Sequence, residues 1–296
     1  MSRIAQRVLI AALVALILAP AAIAQATFVQ EVRLTAPGLA RFGGISAVEV
    51  MNSGATALVL SDRGTLFTLS LTRGPAGVTA ASVCCAAAIT WYEGVHLPGR
   101  QRDSEGLARR PDGTLAISFE GGPLGRVAYH RADGVQISVT PPIAGAEDLP
   151  RNGGFEGLAI DTSGRLYTLP EDMPGDGPIP LLRLDRGAWQ VFAQVPRAPG
   201  WSPVALDFDD QGRLYLLQRR TVLPLGFAAR LTRYTFARDG GLVAERVLQT
   251  GLGRHGNLEG LSLWRDATGR LIATMVSDDD FMPLRATNLV EYALPD

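Results

Sequence analysis

Along most of the chain, apolar and polar positions alternate with a period of two, in short runs broken by Gly, Pro and Asp. That is the pattern of half-buried β-strands. Outside an apolar run near the N-terminus, no stretch has the spacing of an amphipathic helix. The segment around residue 160 predicts four strands. Leu158 to Asp161 is the first, Arg165 to Leu169 the second, Pro180 to Leu184 the third and Trp189 to Val195 the fourth. Thr162-Ser163-Gly164 joins the first two, with Gly supplying the positive φ of a tight turn.

This unit recurs. Glu105-Gly106-Leu107-Ala108, Glu156-Gly157-Leu158-Ala159 and Glu259-Gly260-Leu261-Ser262 open three copies, and Val204-Ala205-Leu206-Asp207 opens another. A fifth begins near Gly44-Ile45-Ser46-Ala47. The turn glycines Gly113, Gly164, Gly212 and Gly269 follow one another at intervals of 51, 48 and 57 residues. Repeats of this length with four short strands predict an all-β fold, a β-propeller of four-stranded blades. The count is five blades, with a sixth open if Ser70 to Arg102 holds another small sheet. The last unit supplies only three strands, ending with Asn288 to Leu294, and a strand at Thr27 to Leu34 precedes the first unit. The N-terminal strand is therefore expected to complete the last blade and close the ring.

Arg3 and Arg7, the apolar run Val8 to Leu18, and Ala22-Ile23-Ala24 have the layout of a secretory signal peptide. Residues 1–24 are expected to be cleaved, leaving 25–296 as a single propeller domain in the periplasm or outside the cell. No other segment is apolar for long enough to span a bilayer. The formal charge of −1, with every base an Arg, offers no basic face for nucleic acid. The chain is expected to act as a monomer on a small anionic or ester ligand. Its only cysteines, Cys84 and Cys85, are adjacent. Export permits a strained bridge between them, but they read more simply as two small strand residues.

Propeller geometry gives the acidic residues a shared address. In each blade the start of the first strand and the end of the second lie on one face. The first position carries Glu105, Glu156 and Glu259. The second carries Asp62, Glu120, Glu171 and Asp278, with Gln218-Arg219 in the fourth blade. The first and fourth units, with Gly44 and Val204 near the Glu position, leave the ring uneven towards blades two, three and five. Seven carboxylates around one mouth would raise one another's pKa values unless arginines such as Arg63 and Arg219, or a hard cation, offset them. Calcium takes six to eight oxygens and suits such a set. The competing role for each Glu is structural, as an acceptor for backbone amides of the next blade.

Asn152-Gly153-Gly154-Phe155-Glu156-Gly157-Leu158-Ala159 resembles the N-x-G-x-E-G-L element of the phytase-like family, also called "esterase-like activity of phytase" proteins. Gly43-Gly44-Ile45-Ser46 with Ser61-Asp62-Arg63-Gly64 fits the same pattern. So do Asp103-Ser104-Glu105-Gly106-Leu107 with Glu120, and Asn257-Leu258-Glu259-Gly260-Leu261 with Ser277-Asp278-Asp279-Asp280-Phe281. The resemblance runs from about Phe42 to Leu294 and implies an exported bacterial propeller with esterase or phosphoesterase activity. Gln218-Arg219 departs from the family's Glu-Arg, and Asp280 from its Asn, which removes one carboxylate from the fourth blade. The Glu-Gly opening is also similar to that of lactonase-like propellers, in which a first-strand Glu binds the metal.

Other motifs stop short. Arg254-His255-Gly256 matches the opening of a histidine acid phosphatase signature, but Leu258 stands where the next Arg belongs, and His255 reads as a loop residue. There is no G-x-S-x-G elbow, and His96, His130 and His255 form no zinc-binding spacing. The sequence thus supports a metal-assisted esterase or phosphoesterase. Its candidate ligands are Glu105, Glu156, Glu259, Asp62, Asp278, Glu120 and Glu171. Glu156, Glu259 and Asp278 are candidates for catalysis, Arg63 and Arg219 for holding an anionic substrate, and Asp172 and Asp176 could join them. A non-catalytic binding propeller with a structural cation is the alternative, and a purely structural carboxylate lattice the third reading.

Overall fold

The computed structural model describes residues 25–39, 42–120, 125–150, 153–237 and 241–296. The expected signal peptide and Asn152 lie outside the described residues. Five four-stranded antiparallel sheets form a ring. Blade 1 contains β2 (Ile45–Met51), β3 (Thr56–Ser61), β4 (Thr65–Gly74) and β5 (Gly77–Ala88). Blade 2 contains β6 (Ser104–Arg109), β7 (Leu115–Phe119), β8 (Arg126–His130) and β9 (Gln136–Val139). Blade 3 contains β10 (Phe155–Ile160), β11 (Leu166–Pro170), β12 (Ile179–Asp185) and β13 (Ala188–Val195). Blade 4 contains β14 (Ser202–Phe208), β15 (Leu214–Val222), β16 (Gly226–Phe236) and β17 (Leu242–Gln249). Blade 5 contains β18 (Asn257–Arg265), β19 (Leu271–Asp278), β20 (Asn288–Ala293) and, outermost, β1 (Thr27–Arg33).

The count is five. The stretch in which a sixth sheet was conceivable belongs to β4, β5 and two short 3-10 turns on the way to β6. Cys84 and Cys85 are free and exposed on β5. Among the described residues, no helix is long and apolar enough to cross a membrane.

A blade has two apolar faces, and each is buried against a neighbour. The five core clusters accordingly lie between blades. One joins Tyr167, Leu169 and Leu181 of blade 3 to Leu206, Phe208 and Tyr234 of blade 4. Within it the Tyr167 and Phe208 rings sit 4.9 Å apart. The turns between first and second strands carry a repeated staple. Asp161 Oδ1 accepts the amides of Ser163 and Arg165 at 2.9 Å, while Oδ2 takes Arg165 Nε at 2.7 Å. Asp209 with Arg213 and Asp266 with Arg270 repeat it.

The ring closes through β1, which pairs antiparallel with β20 from Thr27↔Ala293 to Arg33↔Asn288. Glu31 on β1 accepts Asn288 Nδ2 at 2.8 Å and pairs with His255 Nδ1 at 2.9 Å. His255 Nε2 meets the Tyr292 hydroxyl at 2.7 Å. His255 is a loop residue, as expected, and a buried one. Burial pulls its pKa below the ordinary histidine value, and its ring clasps the closing strand.

At the axis the inner strands approach very closely. A Cβ at Gly106 would lie 2.5 Å from the Glu156 carbonyl oxygen of blade 3, and one at Gly260 would lie 2.9 Å from Ala47 Cα of blade 1. These glycines are required by contact across blades. Gly106→Ala is expected to destabilise the protein by about 2–3 kcal/mol, as overpacking does. A thermal melt followed by circular dichroism should fall by roughly 5–10 °C for a domain of this size.

Candidate functional site

Each inner strand breaks register with its second strand at the same place. The irregularity falls between Ile45 and Ala47, Ser104 and Leu107, Phe155 and Gly157, Pro203 and Ala205, and Leu258 and Gly260. The residues passed over include Ser46, Glu105, Glu156, Val204 and Glu259. A bulge re-aims its side chain, here towards the axis. Ser46, Glu105, Glu156 and Val204 line one small space together with Leu107, Leu158, Leu206 and Leu261. In blade 1 the position thus belongs to Ser46, two residues beyond the Gly44 that sequence alignment placed there. Ser46 is the residue passed over between Ile45 and Ala47, as Glu156 is between Phe155 and Gly157.

The second strands bring their acids to the same mouth. Backbone bonds fix them: Asp62 N to Gly44 O, Glu120 N to Asp103 O and Glu171 N to Gly154 O, each 2.8 Å. Two triads result. Asp103, Glu105 and Glu120 can each offer a carboxylate oxygen within 4.8 Å of the others, and so can Glu120, Glu156 and Glu171. Glu120 belongs to both. It also accepts the Gly154 amide of blade 3 at 2.8 Å, the structural role considered for such acids. Glu105 and Glu156 behave differently. Among the described residues their carboxylates make no hydrogen bond or ion pair with the protein.

Glu259 is joined to the set through Arg219. The guanidinium bonds Glu171 Oε1 at 2.7 Å and Asn257 Oδ1 at 3.3 Å, and forms a short ion pair with Glu259. Asn257 Nδ2 also donates to Glu259 Oε1 at 2.8 Å. Against the cost of burial, Glu259, Glu156 and Glu171 hold Arg219 charged. Gln218 points away, accepting Arg230 at 2.7 Å. Blade 4 therefore contributes a cation and no carboxylate.

Asp62 and Asp278 face the same acidic field but belong to neither triad. Asp278 accepts the Asp280 amide at 2.8 Å, and Asp279 accepts Gly44 N at 2.9 Å and Phe281 N at 3.0 Å. Arg63 is exposed at the rim, its guanidinium 3.4 Å from the centroid of the Phe281 ring. Asp172 turns outward to Arg197 at 3.2 Å, and Asp176 is exposed. The sequence reading missed Asp103 as a member. A signal for Asp103 existed: it stands two residues before Glu105, as Asn257 stands before Glu259.

Burial, with like charges nearby, disfavours ionisation. Burial and then Glu120 push Glu105 well above the ordinary carboxylate range, and burial and then Glu171 do the same to Glu156. Burial raises Glu120 to about 7, with Asp103 and Glu171 adding to it. Burial lifts Glu259 to about 7 even beside Arg219. Asp278 rises to about 8 and Asp62 to about 6, again mainly by burial. The donor set is all carboxylate oxygen, which fits a hard cation such as calcium rather than a soft one.

The sign of the pH dependence follows. Native pKa values above the ordinary carboxylate values near 4 mean that these groups stabilise the fold in acid. That stability is lost as pH rises through about 6 to 8. Chelator-treated protein should melt progressively lower from pH 5 to pH 8.5. Added calcium should raise the melting temperature more at pH 8 than at pH 5. A melting temperature independent of both would remove the case for a charged cation site.

A family model described as phytase-like, esterase-like activity of phytase, matches residues 40–281. No curated protein matches the chain. Among solved structures, the α-L-arabinofuranosidase of Podospora anserina in complex with cellotriose is 12% identical. That match covers 91% of this chain and 97% of that one with a TM-score of 0.50. A hypothetical protein from Leishmania major is 9% identical, covering 90% and 91%, with a TM-score of 0.49. A glucose dehydrogenase is 14% identical, covering 90% and 98%, with a TM-score of 0.43. At 12% identity the likeness to the arabinofuranosidase is one of fold alone.

Proposed function

The chain belongs to the phytase-like family, and from that premise we propose that it is an exported, metal-assisted hydrolase of carboxylic or phosphate esters, working at the channel mouth. The observation that carries this reading is the pair Glu105 and Glu156. They are two carboxylates that make no hydrogen bond or ion pair among the described residues, each in a triad with Glu120. Asp103, Glu105, Glu120, Glu156 and Glu171 would hold a divalent cation, calcium by the chemistry of the donors. Such an ion supplies Lewis acidity towards a carbonyl or phosphoryl oxygen and lowers the pKa of bound water.

The remaining residues divide by position. Glu259 and Asp278 lie outside the triads and titrate near neutrality, at about 7 and about 8. That suits them to take or deliver a proton at the reacting oxygen. Arg63 makes no ion pair among the described residues and offers an exposed guanidinium to an anionic group. Arg219 is engaged by Glu171 and Glu259. It orients those two carboxylates, so Arg63 is the better candidate for substrate. The bond from Gly154 N to Glu120 favours a second reading, in which a cation only fastens blade 2 to blade 3 and the mouth binds a ligand without reaction.

Chelated protein should regain cleavage of p-nitrophenyl acetate or p-nitrophenyl phosphate when calcium is restored. Glu156→Gln should lower kcat/KM by at least about 10- to 100-fold, the loss seen when even the outer partners of metal ligands are removed. An unchanged rate in that variant would show the proposed site to be wrong. A calcium-dependent rise in melting temperature with no turnover across an ester and phosphate-ester panel would establish the binding reading instead.

A further inference from the structure

We infer that the mouth has a second, apolar compartment that receives the acyl or aryl part of the substrate. This rests on the hydrolase reading above and narrows its substrate class to esters carrying an apolar group of moderate length. A cavity of about 350 Å³ opens against blade 3. Its wall includes Phe155 and Pro170, the residues directly before Glu156 and Glu171. The strand ladder pairs Phe155 with Pro170. Two adjacent strands therefore each give one side chain to the carboxylate cluster and the preceding one to the cavity. Ile143, Met173, Leu182 and Val191 complete the apolar wall. The volume lies at the lower end of the range for small-molecule sites.

The compartment is built in advance of any ligand. Phe155 and Leu182 are buried, and the loop carrying Met173 is held by Arg197. Its Nε donates to Gly177 O at 3.0 Å, one terminal nitrogen to Met173 O at 3.1 Å, and the other to Asp172 Oδ1 at 3.2 Å. A wall already fixed in place saves ordering entropy on binding. Charge separates the candidate substrates. Among the described residues, no basic side chain lines this cavity, and the one ionisable group in it is Asp148. A polyphosphorylated ligand would meet only repulsion there, whereas an alkyl chain or aromatic ring would meet matching surface.

The test is a homologous series of p-nitrophenyl acetate, butyrate and hexanoate with the calcium-loaded protein. It is paired with titration of hexanamide into protein carrying ¹³C-labelled methionine methyls. kcat/KM should rise about three- to fourfold per methylene, the value of burying each CH₂. The Met173 methyl resonance should shift saturably with hexanamide. Val191→Asp changes an exposed wall residue and should flatten the chain-length series and abolish the shift. Turnover that ignores chain length would overturn the compartment while leaving the hydrolase intact. No turnover of any ester, with a saturable Met173 shift lost in Val191→Asp, would keep the compartment and overturn the hydrolase. No Met173 shift would overturn the compartment outright.

Discussion

The inner strands of five blades must converge on one narrow axis, and much of this structure follows from how that crowding is met. Gly106, Gly157 and Gly260 let neighbouring backbones and side chains come within distances that a Cβ would forbid. The bulge immediately before each glycine turns the preceding glutamate inwards instead of leaving it on a sheet face. The same constraint therefore explains the fold marker and the candidate site. Glu-Gly is one device, in which glycine permits the approach and the bulge aims the acid.

The two ends of the channel use buried polar groups differently. Away from the mouth, Glu49 accepts the Arg109 amide of the next blade at 3.0 Å, Asp207 accepts the Leu263 amide at 2.6 Å, and the Ser262 hydroxyl accepts the Val50 amide at 2.9 Å. There the acceptors lock one blade to the next. At the mouth, Glu120 and Asp279 do the same work, but Glu105 and Glu156 do not. The molecule thus contains its own comparison. Carboxylates that lock blades have backbone-amide partners, whereas Glu105 and Glu156, which make no hydrogen bond or ion pair among the described residues, sit where acids from several blades converge.

Much of this was legible in the chain. The period-two pattern, the turn glycines and the repeated Glu-Gly-Leu gave five blades and the closing role of the N-terminal strand. They also placed Glu105, Glu120, Glu156 and Glu171 at one mouth. Local rules suffice for that, because each blade repeats the same strand–turn–strand unit and the side-chain direction in a strand is set by its position. In blade 1 no Glu-Gly pair marks the bulge, and alignment set Gly44 near the channel position that Ser46 occupies. The pairing of Arg219 with Glu171 and Glu259 was likewise not legible in the chain.

What the sequence determined by itself was the repeat, and through it the fold, the closure and the identity of most acids at the mouth. Which acids have partners was decided only in the tertiary structure. Whether Glu120 meets Gly154 N, whether Arg219 reaches Glu171 and Glu259, and whether His255 clasps Glu31 all depend on residues between 34 and 224 positions apart. A hydrogen bond is lost when donor and acceptor separate by a further ångström or so, and an ion pair weakens with every added ångström. Strand periodicity fixes the direction of a side chain, but the packing of one blade on the next sets those last ångströms.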